Sequence, residues 1–245
     1  MPRVPAGRLA RLILDRQPCV VLTGAGISTE SGIPDFRSAT GVWGDIDPVE
    51  VASIDAFRRN PGRVWEFYAH RLGLLGDVQP NDGHRAIAEL ERRGLVAAVV
   101  TQNVDGLHQQ AGSRDVVEVH GSLATAVCPS CARREPIAEV RRMLDLSPVP
   151  LCVACSTPLK PGVVMFGELL PVAAIDRATS LARAAGLVLV VGSSLEVWPV
   201  GGLPLEAGAF AIVNRGPTTL DQQALLKIDG SAGETLAAVV AALGS

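Results

Sequence analysis

Residues 19–37 read CVVLTGAGISTESGIPDFR, an apolar, β-branched run that breaks at once into a glycine-rich turn. A short continuous apolar run of this kind fits a strand buried on both faces, as in a parallel sheet. Gly24 and Gly26 then make a Gly-x-Gly turn, where a missing Cβ lets backbone amides approach a pyrophosphate at a helix start. Alone that turn is a weak signal, and glycine packing would also explain it. Thr29 stands where a dinucleotide fingerprint expects its third glycine, and no acidic residue after a clear second strand marks the usual ribose hook.

The same rhythm recurs outward from this stretch. VAAVVT (96–101), VVEV (116–119), LVLVV (187–191) and FAIV (210–213) alternate with helical patterns such as HRAIAELERRG and ATSLARAAG. Strands alternating with helices predict a Rossmann-like α/β domain with a doubly wound parallel sheet. Each strand runs into polar or glycine-rich residues: GAGIS, QNVDG, HGS, GSS and NRG in turn. Ligands of open parallel sheets bind beyond the carboxyl ends of the strands, so five segments are aimed at one crevice.

Two stretches depart from this rhythm and predict a smaller lobe. Residues 38–80 read as a helical module, with Asn60 as N-cap and Pro61 at the first helical position of a helix carrying RVWEFYAHRLG. Residues 122–162 hold CPSC and CVAC, leaving residues 1–37, 81–121 and 163–245 to the nucleotide-binding domain. Cys128, Cys131, Cys152 and Cys155 can present four thiolates to one tetrahedral ion, which closes the shell and makes the expected zinc structural. Cys19, inside an apolar run, reads as a buried hydrophobe.

A net charge of -3 and a pI near 5.8 argue against nucleic acid or an anionic membrane as a charge-driven partner. No apolar run approaches the roughly 20 residues of a membrane span. Few cysteines, paired as metal ligands, suit a reducing compartment, so the expected location is the cytoplasm. The sequence does not name the oligomeric state, with a monomer favoured over an assembly.

Within TQNVDGLHQQAG (101–112), Gln102, Asn103 and Asp105 can hydrogen-bond ribose hydroxyls and a carboxamide, although an Asx-type turn fits equally. His120 ends a strand where an imidazole can accept a proton at neutral pH, and it reads as well as a structural histidine. His108 reads as structural, His70 lies on the Tyr68 helix, and His84 suits a cap or the surface. Tyr68, the only tyrosine, stands three places before Arg71, a spacing that ordinary amphipathic packing explains.

GAGISTESGIPDFR, TQNVDGLHQQAG, VHGS, the CxxC pairs, VVMFGE, GSSLEVWP and VNRG occur in an order that resembles the sirtuins, NAD-consuming protein lysine deacylases. The resemblance runs from about residue 17 to the C-terminus. It implies that Gly24, Ala25, Gly26, Asp35, Phe36 and Arg37 grip the NAD pyrophosphate and close over nicotinamide. Gln102, Asn103 and Asp105 would serve the nicotinamide ribose and carboxamide, Gly192, Ser193 and Ser194 phosphate and ribose, and Asn214 the adenosine ribose. His120 would be the general base, with Asn103 beside it in catalysis.

The implied reaction begins when the acyl oxygen of a modified lysine attacks the anomeric carbon as nicotinamide leaves, giving an alkylimidate. His120 deprotonates a ribose hydroxyl that attacks it, and water then releases lysine and O-acyl-ADP-ribose. Val164, Phe166, Gly167 and Glu168, opposite Val197, resemble the strand that pairs with the substrate backbone. One sirtuin subgroup carries Tyr-x-x-Arg with an upstream alanine, matched here by Ala52, Tyr68 and Arg71. Both side chains share a helix face and can converge on one carboxylate, which implies removal of succinyl and malonyl groups with weaker deacetylation. The rival expectations are a broad deacetylase or a mono-ADP-ribosyltransferase on the same fold, and a zinc-ribbon binding module with a degenerate nucleotide site.

Overall fold

The computed structural model describes residues 3–35 and 46–244, so Phe36, Arg37 and the segment 38–45 lie outside the described residues. Helix α1 (Arg3–Asp15) buries Leu9 and Ile13 and leaves Arg8 and Arg11 wet, as its amphipathic pattern predicts. Strand β1 (Cys19–Thr23) is buried throughout. Its alternate residues serve opposite faces: Cys19 and Val21 join the core under α1, Val20 and Leu22 the core on the other side.

A 3-10 helix (Ala25–Ser31) follows β1, and further along the chain come α2 (Pro48–Val51), α3 (Ile54–Arg59) and α4 (Pro61–Leu75). Their first turns are satisfied by Asp47, Ser53 and Asn60, whose side chains accept backbone N–H groups, and Pro61 starts α4. Helix α5 (Asp82–Arg92) leads to β2 (Ala98–Thr101), and α6 (Leu107–Ala111) leads to β3 (Val116–Glu118). Then come β4 (Gly121–Val127), β5 (Arg134–Pro136), α7 (Ile137–Leu144) and β6 (Lys160–Val163). The chain ends with α8 (Val172–Ala184), β7 (Leu187–Val191), β8 (Phe210–Val213), β9 (Leu226–Ile228) and α9 (Ala232–Ala242).

The main sheet has the order β3-β2-β1-β7-β8-β9 and is parallel at every pairing. Strand order reverses between β1 and β7, which creates a crevice at their carboxyl ends. Helices α1, α5 and α9 cover one face, and α8 with the 3-10 helix Val200–Glu206 covers the other. Fully buried leucines such as Leu22, Leu187 and Leu189 contribute about 1.5–3 kcal/mol apiece. Strand β9 and helix α7 are additions to the expected elements. The former is a three-residue edge strand with Lys227 at its centre, too short to give a pattern.

The switch point depends on two glycines in contact. Gly26 N–H donates to Gly192 O at 2.8 Å, and a Cβ on Gly192, whose φ is +62°, would lie 2.2 Å from Ile27 N. No side chain fits there without parting the two turns.

A second sheet, antiparallel in the order β5-β4-β6, packs against α3, α4 and α7. Trp65 is fully buried in this third core and donates its indole N–H to Leu159 O at 2.7 Å. Cys128, Cys131, Cys152 and Cys155 gather with all four sulfurs within 4.8 Å of one another. Sγ separations of 3.5 Å (Cys128–Cys155), 3.6 Å (Cys131–Cys152) and 3.8 Å (Cys131–Cys155) fit the edges of a zinc–thiolate tetrahedron, about 3.8 Å for bonds of about 2.3 Å. The four thiols therefore fit one closed zinc site that pins the turns before β5 and β6. Among the described residues no helix is long and apolar enough to cross a membrane.

Two outcomes are expected. Purified protein should carry one zinc per chain by atomic absorption, and stripping it with a chelator should lower the melting temperature and shift tryptophan emission to the red as Trp65 becomes wet. Gly192→Ala should lower the unfolding free energy by about 2–4 kcal/mol in urea titrations, through backbone strain and overpacking. An unchanged midpoint would refute the glycine contact.

Candidate active site

The polar segments after the strands converge as the sequence predicts. Asn103, buried after β2, donates its amide to Gly24 O at 3.2 Å and to Ser28 Oγ at 3.0 Å. Ser28 Oγ donates in turn to Asp105 Oδ2 at 2.7 Å, and Asp105 Oδ1 accepts Leu107 N–H at 3.0 Å, capping the turn into α6. Gln102 Nε2 donates to Ser193 Oγ at 3.0 Å, joining the β2 turn to the β7 turn. The Asx-type turn expected of this stretch is present at Asp105, within one hydrogen-bond network with Ser28 and Asn103. Ser28, Asn103 and Ser193 are buried and Gln102 and Asp105 half-buried, and their mutual bonds hold preset donors and acceptors at the crevice.

His120 sits between β3 and β4 with Nδ1 3.1 Å from Gln102 O. A carbonyl can only accept, so Nδ1 carries the proton and Nε2 keeps its lone pair. Burial pushes the imidazole pKa below its ordinary value, opposed by that carbonyl contact, so the ring is neutral at pH 7 and competent as a base.

Beneath the network lies a histidine pair that the sequence does not reveal. His84 is fully buried, and Asn81 caps α5 instead, contrary to the expected cap or surface role. Its ring meets His108 edge-on with centroids 4.9 Å apart. His108 Nε2 lies 2.9 Å from Thr23 Oγ1, which donates to Thr101 Oγ1 at 2.8 Å, and Asn103 N–H donates to that same oxygen at 3.1 Å. Burial holds both imidazoles below their ordinary pKa and hence neutral. His108 is structural, as expected, and the chain of hydroxyls ties it to the Asn103 turn.

Toward β8 and β9 the crevice widens into a cavity of about 420 Å³ whose walls include Gly26, Asp35, Gly192 and Asn214. Asn214 donates its amide to Arg215 O and Gly216 O, at 2.8 and 3.4 Å. Ala25 is half-buried at the start of the 3-10 helix, and Ser194 O accepts Thr219 N–H at 3.2 Å. Glu30, Arg215 and Gly230 also line the cavity; Glu30 lies within GAGISTESGIPDFR and Arg215 within VNRG, but the sequence gives neither a role.

On the opposite side, the segment expected as a strand over 163–168 is a strand only at Val163. Val164 N–H donates to His120 O at 2.8 Å and Phe166 N–H to Ala52 O at 2.9 Å, while Gly167 turns the chain at φ +87°. These bonds fasten the segment between the His120 turn and α2. Glu168 Oε2 accepts Met165 N–H at 2.8 Å and pairs with Lys160 Nζ at 3.0 Å. Val197 is half-buried, and its carbonyl accepts Gly201 N–H at 2.6 Å.

Tyr68 is 6% exposed, packed edge-on against Phe67. Burial raises its pKa, with Arg71 opposing and Glu168 adding to the rise. Arg71 lies over the Phe67 ring at 5.9 Å, and burial disfavours its charge while Tyr68 and Asp105 support it. This face of α4 therefore sits within electrostatic reach of both Asp105 and Glu168.

The Sir2 family profile matches residues 24–199. A Chromobacterium violaceum NAD-dependent protein deacetylase is 46% identical over 234 residues, 93% of each chain. Archaeoglobus fulgidus NAD-dependent protein deacylase 1 is 42% identical over 233 residues, 94% of each chain. Among solved structures, a Sir2–p53 peptide–NAD+ complex superposes with a TM-score of 0.88 at 39% identity over 96% of each chain. With the profile spanning most of the chain and the fold shared end to end, this protein belongs to the Sir2 family.

Proposed function

We propose that the protein is an NAD-dependent protein lysine deacylase that acts best on acyl groups ending in a carboxylate, succinyl and malonyl above acetyl. The division into a nucleotide-binding domain (1–37, 81–121, 163–245) and a small domain (38–80, 122–162) belongs to the same reading. The observation that carries the activity is His120, its Nδ1 held by Gln102 O, beside the Asn103–Ser28–Asp105 network at the switch point.

In this reading NAD enters as co-substrate across the strand ends. Gly24, Ala25 and Gly26 face its pyrophosphate, Gly192, Ser193 and Ser194 its phosphate and ribose, and Asn214 its adenosine ribose; Asp35, Phe36 and Arg37 close over nicotinamide. Gln102, Asn103 and Asp105 hold the nicotinamide ribose and carboxamide. The acyl oxygen attacks the anomeric carbon, the C–N bond to nicotinamide breaks, and Asn103 and Asp105 fix the reacting geometry. His120 Nε2 takes the proton of a ribose hydroxyl, whose oxygen attacks the acyl carbon. Water releases lysine and O-acyl-ADP-ribose. The acyl-lysine protein lies between Val164, Phe166, Gly167 and Glu168 on one side and Val197 on the other.

The preference for acidic acyl groups is supported by Tyr68 and Arg71, one turn apart on α4. A guanidinium whose charge burial disfavours gains from a carboxylate ligand, and the phenol adds a hydrogen bond. Ala52, whose carbonyl accepts Phe166 N–H, carries a side chain small enough to suit a longer acyl chain in this reading.

The test compares acetyl, malonyl and succinyl forms of one peptide with NAD, followed by mass spectrometry. The acidic forms should be preferred, and Arg71→Met should lower the succinyl-to-acetyl ratio of kcat/KM by about 30-fold, as losing one charge-assisted contact worth about 2 kcal/mol implies. An equal loss on both substrates would remove the assignment. The pH profile follows from His120: the active form is neutral and its pKa is depressed, so activity should be flat from pH 7 upward and fall only below the ordinary histidine value of about 6.5. His120→Ala should abolish product and leave NAD binding measurable.

A further inference from the structure

We infer that Glu30 makes the adenosine end of the crevice selective for NAD over its 2′-phosphorylated form, an inference that rests on the NAD reading above. The reacting groups lie after β2 and β3, at one edge of the sheet. The far half of the dinucleotide then lies toward β8 and β9, in the cavity that Asn214, Arg215 and Gly230 line. Helix α9 begins on that wall, with Ser231 as N-cap and Ala232 facing the cavity. A helix N-terminus next to an arginine would suit a phosphate.

The chain puts its own anion there. Glu30 Oε1 accepts Ser231 Oγ–H at 2.8 Å and Gly233 N–H at 3.3 Å. Gly233 permits the approach, since a Cβ at that position would lie 2.5 Å from Glu30 Oε2. Oε2 accepts no hydrogen bond from the described residues. A ribose 2′-hydroxyl can donate to this carboxylate, whereas a 2′-phosphate meets a like charge and finds the helix N-terminus taken. Arg215 on the same wall pulls the other way, so the balance turns on Glu30. The acidic hook missing after the second strand is thus supplied from the 3-10 helix of the glycine turn, one residue past the position of the absent third glycine.

Calorimetric titration of the full chain with ADP-ribose and with 2′-phospho-ADP-ribose tests this. The wild type should bind ADP-ribose at least about tenfold more tightly, the scale of one like-charge contact at a partly screened site. Glu30→Gln, which leaves Arg215 and the helix N-terminus to the phosphate, should narrow that ratio to about threefold or invert it. Glu30→Ala gives the same reading if the glutamine variant fails to fold. An unchanged ratio in the variants, or no preference in the wild type, would overturn the inference. Failure of the wild type to bind either ligand would overturn it together with the NAD reading. A preference abolished by Glu30→Gln, without nicotinamide release from acyl peptides, would support the inference and sink the deacylase reading alone.

Discussion

Everything at the crevice depends on the approach of two backbones. Gly26 and Gly192 touch where β1 and β7 part, and the 2.8 Å bond between them leaves no volume for a side chain. A parallel sheet supplies a gap at its switch point, but its width is set by whatever fills the turns. Glycine at both positions keeps the amides of the first turn at the surface of the gap. The Asn103 amide, bonded to Gly24 O, is then positioned by the same turn.

From that contact a network of polar side chains spreads in both directions, and its members are largely buried. Isolated, each would cost free energy; bonded to one another, they form a rigid polar wall. Asn103, Ser28 and Asp105 fix one another, and the Thr23–Thr101 hydroxyl pair connects that group to the neutral histidines beneath. His120 stands slightly apart, steered by a backbone carbonyl that leaves its outer nitrogen free of the proton. An imidazole held neutral by burial, beside preset hydrogen-bonding groups, is what the proposed proton removal at neutral pH requires.

The small lobe contributes from the other side by a different kind of packing. Its third core joins α4 to the cysteine-bearing sheet, with Trp65 bonded across to Leu159. Cys128 and Cys152 thereby share one core with Val64, Trp65, Tyr68 and Leu72 of the helix that carries Arg71. The segment after β6 is fastened to His120 O through Val164 and to Ala52 O through Phe166, so the main sheet and the helical module meet along it. Val164 and Phe166 are thus bridging residues as well as proposed peptide contacts.

The apolar runs determined the parallel sheet, because burial on both faces demands unbroken hydrophobic strands, and the two CxxC pairs determined a four-sulfur site by their chemistry alone. The turns after β1, β2, β3, β7 and β8 were legible for the same reason, as polar and glycine residues interrupting apolar runs. Strand β9 was not, since three residues with a central lysine carry no period. The pairing of His84 with His108, the seat of Glu30 on the N-terminus of α9, and the irregular path of Val164 to Glu168 were decided only by tertiary structure. Each brings together groups from distant segments, 201 residues apart for Glu30 and Ser231. Residue type and local spacing record how a segment folds against a generic core, but not which distant side chain it will meet.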